Sequence, residues 1–152
     1  HPDLNIVGNL ISEKASQADV VIVSDYGKGF VTNQLLALVR ENASFLAVDP
    51  KPSRLLDYSM PDLLTPNRLE ALELAGLSRE TRDPFPQEEV VTQIFDKFSP
   101  RLLAVTLGGE GMLLAKQGKV ECTIPTAARE VFDVSGAGDT VIASLSMALV
   151  AG

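Results

Sequence analysis

Four short, largely apolar segments, each followed by residues with helical character, constrain the fold of this chain more than any other feature of its sequence. The segments are 20–23, 45–48, 62–65 and 102–107. The run 20–23 is uninterrupted and bounded by polar residues, which is typical of a strand covered on both faces in a parallel sheet. Alternation of such strands with helices predicts an α/β fold with a doubly wound, mostly parallel sheet and helices on both faces.

An antiparallel hairpin and five helices complete the predicted architecture. Residues 112–115 and 119–124 flank Gln117-Gly118, a dipeptide that favours a tight turn between two strands. Apolar spacing or a capping residue predicts helices at 3–17, after Thr32, after Asn67 and over 90–98. The last helix, 140–151, is rich in Val, Ile, Leu, Ala and Met, and we expect it to be buried.

The composition predicts one soluble α/β domain over residues 1–152, with 45% hydrophobic residues and 22% charged ones. The formal charge of −7 and the lack of a basic stripe speak against a nucleic-acid partner. The single cysteine, Cys122, excludes an internal disulfide and fits a reducing compartment, and we expect it to be an inert core thiol on a strand. The only histidine is His1, so the chain has no Ser–His or Cys–His pair and no histidine metal cluster.

Neither end of the sequence has the character of a membrane segment. Asp3, Asn5 and Gly8 interrupt any apolar core of a signal peptide. The apolar run before residue 152 is shorter than a membrane span and contains Ser144 and Ser146. We therefore expect a cytoplasmic protein without a membrane partner.

The sequence D-V-S-G-A-G-D, residues 133–139, stands directly before the last helix. The small residues Gly136, Ala137 and Gly138 let an anion approach their backbone N–H groups, and a helix start adds unpaired donors and a partial positive charge. A carboxylate beside an anion site is unfavourable unless it takes a proton from an attacking hydroxyl, which predicts a general base at Asp139. The alternative is a glycine-rich turn in which Asp139 only caps the helix.

The same heptapeptide, followed by Thr140, resembles the C-terminal signature of the ribokinase and PfkB family of sugar kinases. The resemblance implies a ribokinase-like fold and ATP-dependent transfer of a phosphoryl group to a sugar hydroxyl, with Mg²⁺. It also implies that Asp139 is the catalytic base and that residues 136–138 form the anion hole.

The sequence N-R-L-E, residues 67–70, begins the third predicted helix. Asn67 and Glu70 are three residues apart, so both can face one cleft, and a glutamate can hold Mg²⁺ through water. The alternative is a capping box in which the two side chains only satisfy the helix start. The set resembles the N-x-x-E motif of the same family, which implies a role for both residues in magnesium and phosphate binding, with Glu70 acting on the metal through water.

The sequence T-L-G-G-E-G, residues 106–111, resembles the T-x-G-x-x-G that lies along the nucleotide in this family. The resemblance implies nucleotide binding by Thr106, Gly108, Gly109 and Gly111. Glycines suit this role because backbone without side chains can lie against a planar or phosphate group. The alternative is a plain turn at the end of a strand.

Two further motifs, S-D-Y-G-K-G at 24–29 and D-P-K at 49–51, resemble the heptose 7-phosphate kinase branch of the family, the kinase half of the enzyme that makes ADP-heptose. Lysines on loops at strand ends suit phosphate capture because they are point charges on long stems. Lys28 and Lys51, together with Asp25 of the same motifs, are candidates for binding the substrate or a phosphate. The alternative for the two lysines is that they are solvent-exposed and bind no ligand. We expect Tyr26 and Phe132 to be packing residues.

The resemblance extends from about residue 4 to the end but covers only part of the usual family length. A sugar-binding half, a small β lid and an earlier G-G signature do not occur in the sequence, so we expect a C-terminal portion that is incomplete at both ends. Activity of this chain alone stays open, and an exposed sheet edge would allow a homodimer. Two alternatives also stay open: another PfkB-type substrate such as ribose or a hexose phosphate, and a non-catalytic nucleotide-binding fragment. A fused adenylyl-transfer activity is not predicted, because it needs a histidine motif that His1 cannot supply.

Overall fold

The computed structural model describes residues 4–52, 56–78, 80, 84–126 and 137–152. These residues form an α/β fold, as the apolar pattern predicts, although helices and strands do not alternate throughout. The helices are α1 (Leu4–Gln17), α2 (Asn33–Asn42), α3 (Arg68–Leu74), α4 (Gln87–Phe98) and α5 (Ala137–Ala151). The strands are β1 (Val21–Ser24), β2 (Leu46–Asp49), β3 (Leu63–Leu64), β4 (Leu102–Thr106), β5 (Met112–Lys116) and β6 (Lys119–Ile124).

The described strands form one mixed sheet, in which the order across the sheet is the order along the chain, β1 to β6. Strands β1 to β4 are parallel, with Val23 opposite Val48 and Leu64 opposite Leu103. Strands β4, β5 and β6 are antiparallel, which confirms the predicted hairpin. Its turn has positive φ angles of 51° at Gln117 and 75° at Gly118, the backbone that a tight hairpin turn requires.

The main core lies between one face of the sheet and helices α2, α3 and α4. Alternate strand residues point into it, because successive side chains of a strand face opposite sides. Helix α1 lies outside α2 and contributes Ile11 at the margin of this core. The largest fully buried side chains of the core are Leu36, Val48, Tyr58, Leu64, Leu72, Val90, Val91, Ile94, Leu103 and Leu113.

The opposite face of the sheet packs against α5, so the sheet has helices on both faces as predicted. Ile142 of α5 is 1% exposed and lies with Ala47, Leu63 and Ala104 in a second, smaller core. Most of α5 is nevertheless exposed, and Met147 is 67% accessible. The prediction of a buried last helix was therefore wrong. An apolar composition indicates that a helix tends to be covered on all sides, whereas in the described part of the chain α5 packs with one side on the sheet and its other side is exposed.

Two further predictions of burial were wrong, because both concern strands at an edge of the described sheet. Strand β1 lies at the edge of the described sheet, and Ile22, on the side of α5, is 42% exposed, so this strand is not covered on both faces. Cys122 is on a strand, as expected, but that strand is the other edge, β6, and the thiol is exposed. Within the described part of the chain, no helix has the length and apolar character needed to cross a membrane.

Candidate active site

The four parallel strands end at the same edge of the sheet, and each carries one of the sequence motifs there. Ser24 is the last residue of β1 and pairs with Asp49, the last residue of β2. The turn after β3 leads into α3 at Asn67, which bridges to Thr106 at the end of β4. Because the carboxyl ends of parallel strands form the usual ligand-binding edge of an open α/β sheet, the motifs surround one cleft.

The first turn of α5 closes this cleft from the other face of the sheet. A side chain added at Gly138 would contact Asp49, with its Cβ 3.8 Å from Oδ2 of that carboxylate. Of the predicted anion hole, Ala137 opens α5 and Gly138 is exposed in its first turn, whereas Gly136 lies outside the described residues, as does Phe132. The N–H groups of a first helical turn have no partner within the helix, so they are available to an anion.

Asp139 is exposed, and its carboxylate is held by two hydroxyl groups from the far end of the sequence. The Tyr26 hydroxyl lies 2.9 Å from Oδ1 and 2.8 Å from Oδ2, and the Ser24 hydroxyl donates to Oδ1 at 3.2 Å. Helix α5 begins two residues before Asp139, so the carboxylate lies within the first turn rather than at the capping position. A carboxylate held this way at the rim of a cleft is placed to accept a proton.

Asp49 is a site residue that sequence reasoning missed. Burial raises the pKa of Asp49 to about 6, and the negative charges of Glu70 and Asp139 add to the effect, while the Ser24 hydroxyl and the Lys51 ammonium oppose it. Because the pKa of Asp49 depends on the charges of Glu70 and Asp139, these three carboxylates interact electrostatically. The available signal was its position as a polar last residue of an apolar strand within the D-P-K motif.

The N-R-L-E motif forms a complete capping box at the start of α3. The Asn67 side chain accepts from the Glu70 N–H at 3.0 Å, and the Glu70 carboxylate accepts from the Asn67 N–H at 3.0 Å through Oε2. This arrangement is the capping box that the sequence allows as the alternative to a role in magnesium and phosphate binding. Oε1 of Glu70 is free of the box and accepts from Nζ of Lys51 at 3.0 Å, so the same glutamate also faces the cleft.

The three candidate phosphate or substrate residues differ in their surroundings. Lys28 is exposed on the loop after β1, and the Lys51 side chain is 44% exposed beside Glu70. Asp25 is buried, and its carboxylate accepts from the Gly27 N–H at 2.8 Å and from the Tyr58 hydroxyl at 2.7 Å. Those contacts fix the backbone of the loop, whereas Lys28 is exposed to solvent and Lys51 is paired with Glu70.

The T-L-G-G-E-G motif forms a single 3₁₀ turn, Gly108–Glu110, that closes back on the sheet through a hydrogen bond of 2.8 Å from the Leu107 N–H to the Gly111 carbonyl. Gly111 has a φ of +99°, and a Cβ there would lie 2.0 Å from the Ile124 carbonyl oxygen, so this glycine is required by packing. Gly108 and Gly109 have open space where a Cβ would lie. Only these two glycines therefore leave backbone accessible to a ligand.

The turn is also joined to α3 by an ion pair. Arg68 Nη1 lies 2.5 Å from Oε1 of Glu110, and the guanidinium stacks over the Phe85 ring at 5.2 Å from its centre. Arg68 is largely buried and Glu110 is half exposed. The N-R-L-E and T-L-G-G-E-G motifs are thus held against each other by side chains as well as by the Asn67–Thr106 bridge.

The cleft itself is an open groove. A cavity of about 320 Å³ lies at the opposite, amino end of the strands, between Phe45, Arg101 and Leu149, and it contains none of the motif residues. Among the described residues, no group of three or more histidine, cysteine, aspartate or glutamate side chains is arranged to hold a metal ion without other ligands. The described groups that face the cleft are backbone donors at the start of α5, two lysines and three carboxylates.

The chain is similar in sequence to curated proteins named HldE. The chain is 40% identical over 150 residues to the bifunctional protein HldE of Pelobacter propionicus, with 96% of this chain and 30% of that protein covered. It is 42% identical over 138 residues to HldE of Geobacter sulfurreducens, with 88% and 28% covered. The chain thus spans about three tenths of the length of these curated relatives.

Solved structures share the fold. Phosphofructokinase-2 from Escherichia coli, in complex with substrates and products, matches with a TM-score of 0.77 and 18% identity, over 96% of this chain and 48% of that one. Ribokinase from Arabidopsis thaliana, complexed with ribose and ATP, matches with a TM-score of 0.74 and 25% identity, over 93% and 46%. These likenesses establish a ribokinase-like fold over the described chain. The profile of the pfkB family carbohydrate kinases matches residues 4–152, and the chain belongs to that family.

Proposed function

We propose that this chain forms the nucleotide-binding and catalytic part of an ATP-dependent kinase that phosphorylates a hydroxyl of a heptose 7-phosphate. The observation that carries the proposal is the position of Asp139, exposed at the first turn of α5 and facing the motifs at the ends of β1 and β2. Identity of about 40% to proteins named HldE, together with the S-D-Y-G-K-G and D-P-K motifs, supports the heptose branch.

In the proposed reaction, Asp139 accepts the proton of the acceptor hydroxyl while that oxygen forms a bond to the γ-phosphorus of ATP. The bond between the γ-phosphorus and its bridging oxygen breaks, and ADP leaves with the electron pair. The N–H groups of residues 136–138 donate to the oxygens of the phosphoryl group as it transfers, where charge accumulates. The N–H groups of Ala137 and Gly138 need no rearrangement during the step, because the helix fixes their direction.

The carboxylates of the cleft fit a magnesium ion held mainly through water. Asp49 and Glu70 both face the cleft, and their mutual repulsion, expressed in the raised pKa of Asp49, would be relieved by a divalent cation. Magnesium prefers oxygen ligands and keeps several waters, which suits a site with few direct protein ligands. When bound, the ion would neutralise charge on the phosphates.

The two lysines and the glycines complete the proposed division of roles. Lys51, held by Glu70 at 3.0 Å, and Lys28 on the neighbouring loop would attract phosphate groups of the sugar or the nucleotide. Gly108 and Gly109, with open space beside their backbone, would lie along the nucleotide with Thr106, whereas Gly111 would fix the shape of the turn. Asn67 would bind phosphate in addition to capping α3.

One observation favours a second candidate, a nucleotide-binding unit without turnover of its own. The chain spans about three tenths of the length of the HldE relatives, so groups that contact the sugar in those proteins can lie outside it. Titration calorimetry with ATP and Mg²⁺ beside a coupled kinase assay separates the two candidates. Binding without turnover by this chain, with turnover in a longer protein that carries it, supports the second.

The proposed function is tested with Asp139→Asn in the longest natural protein that carries this chain. A positioned base contributes a factor of about 10²–10⁴, so we expect kcat for the heptose phosphate to fall by that factor while ATP affinity changes little. Ribose and fructose 6-phosphate are assayed in parallel as acceptors. Unchanged turnover in the variant contradicts the role of Asp139, and preference for another acceptor contradicts the heptose assignment.

A further inference from the structure

Two hydroxyl groups, those of Ser24 and Tyr26, contact the carboxylate of Asp139, and the motif resemblance assigns a role to neither. We propose that Tyr26 is a positioning residue: its hydroxyl, assisted by that of Ser24, holds the carboxylate of the catalytic base in the direction of the acceptor. The proposal rests on the proposed function of Asp139 as the base. It replaces the expectation that Tyr26 is a packing residue.

The exposure of Tyr26 supports a polar role. Its side chain is 64% exposed, so burial of the ring contributes little to its placement. The hydroxyl instead lies nearly equidistant from both oxygens of Asp139, at 2.9 and 2.8 Å, which puts it close to the bisector of the carboxylate. Hydrogen bonds to a charged acceptor are the stronger kind, and this one fixes the rotation of the carboxylate.

The backbone that carries Tyr26 is anchored from below. The preceding residue, Asp25, is 5% exposed, and its carboxylate accepts from the Tyr58 hydroxyl at 2.7 Å and from the Gly27 N–H at 2.8 Å. Gly27 has a φ of +69°, which lets the loop turn over Lys51 immediately after Tyr26. The loop is therefore pinned on both sides of Tyr26, so the direction of its side chain is set by buried contacts.

The electrostatics of the cleft explain why the base needs such support. Asp49 and Asp139 repel each other, as the contribution of Asp139 to the raised pKa of Asp49 indicates. An unsupported carboxylate on the exposed first turn of α5 would turn away from Asp49 towards solvent. Neutral hydroxyl donors oppose this rotation without adding a positive charge beside the base.

The hydroxyls leave room for the acceptor. An ionised carboxylate has about four lone-pair positions. Tyr26 uses the inner side of the group and Ser24 donates to Oδ1, so within the described part of the chain the outer side of Oδ2 is left for a sugar hydroxyl. Tyr26 thus orients the base without occupying the position on Oδ2 that the acceptor hydroxyl would take.

The first test is a double-mutant cycle in the longest natural protein that carries this chain, with Tyr26→Phe, Asp139→Asn and the double variant. Loss of one hydrogen bond to a charged group predicts a fall in kcat of about tenfold for Tyr26→Phe, with KM for ATP changed less than about twofold. In the Asp139→Asn background the same change should have no further effect. Ser24→Ala should show a smaller loss with the same dependence on Asp139.

Ser59→Ala is the control for Ser24→Ala, because it also removes one serine hydroxyl that donates to an aspartate, but that aspartate is Asp57, which pairs with Arg40 and not with a motif residue. Any effect of Ser59→Ala on kcat should be the same with Asp or Asn at position 139. The proposal is overturned if Tyr26→Phe lowers kcat equally with Asp and with Asn at position 139, or lowers it in neither. The role of Asp139 as the base is tested separately, by Asp139→Asn alone.

The second test does not depend on turnover. The carboxyl carbons are labelled with ¹³C-aspartate, and the resonance of Asp139 is identified by its loss in Asp139→Asn. We expect this resonance to move in Tyr26→Phe and in Ser24→Ala, and to stay in place in Ser59→Ala. A resonance unchanged by Tyr26→Phe overturns the positioning role even if the enzyme proves to have another reaction.

Discussion

Asp49 links the stability of the chain to pH through a single residue. Its pKa is about 6 in the folded chain and about 3.8 when unfolded, so between these values the folded state keeps a proton that the unfolded state has released. The free energy of unfolding therefore falls as the pH rises from about 4 to about 6, and the loss persists above that range. At neutral pH it amounts to at most about 3 kcal/mol.

Asp49→Asn should remove this dependence, because an amide does not ionise. We expect the variant to gain about 1–3 kcal/mol relative to the wild type on going from pH 4 to pH 7.5, measured by urea unfolding. Asp57→Asn is a control of opposite sign, since hydrogen bonds from Ser59 lower the pKa of Asp57. Its destabilisation should be present at neutral pH and disappear on acidification. A stability difference for Asp49→Asn that is constant with pH contradicts the assignment.

At the scale of one residue, what the sequence predicts depends on how local the cause is. The capping pair of α3 and the turn at Gln117-Gly118 were predictable, because their partners lie within three residues. The contact of Tyr26 with Asp139 was not, since it joins residues 113 apart and tyrosine most often packs. Asp49 had only a weak signal, its place at the polar end of an apolar strand.

At the scale of the element, α3 allows its two roles to be separated. Asn67→Ala removes the side-chain acceptor of the cap and should lower the free energy of unfolding by about 1 kcal/mol, whereas Asn67→Ser keeps an acceptor and should cost much less. If Asn67 also binds phosphate, both variants should lose kinase activity to a similar extent. Activity that follows stability in the two variants would assign Asn67 to capping alone.

The turn between β4 and β5 offers a second comparison. Gly111→Ala puts a methyl group against the Ile124 carbonyl at a positive φ, and we expect a loss of about 2–4 kcal/mol in thermal or urea unfolding. Gly109→Ala meets open space, so its stability should change by less than about 0.5 kcal/mol while KM for ATP rises. A wild-type KM in Gly109→Ala would argue against nucleotide contact at this turn.

The positions of helices and strands could be predicted closely, because each apolar run and each cap is a local feature. Their burial could not. Helix α5 and strand β1 have apolar sequences and are partly exposed, since burial depends on how many layers cover an element. The composition of an element indicates how favourable its burial would be, but not which other elements pack against it.

At the scale of the whole molecule, the isolated chain exposes apolar surface on α1. Ile6 and Leu10, one turn apart, are 67% and 53% exposed. Such a stripe favours association, so we expect this 152-residue chain to self-associate with rising concentration in light scattering.

Leu10→Lys should reduce that association and change the free energy of unfolding by less than about 0.5 kcal/mol. The neighbouring Ile11→Lys is the matched control, because Ile11 packs at the margin of the core and its replacement should destabilise the fold. Association that is unaffected by Leu10→Lys would point to the exposed edge of β1 instead.

The strands cross the sheet in the order in which they occur in the chain, but the last helix returns to the first two strands. Tyr26 and Asp139, which would act together, are 113 residues apart, and strands β2 to β6 lie between them along the chain. Closure of so long a segment is among the slowest contacts that a folding chain makes. We therefore expect the contact that would orient the proposed proton acceptor to form late in folding.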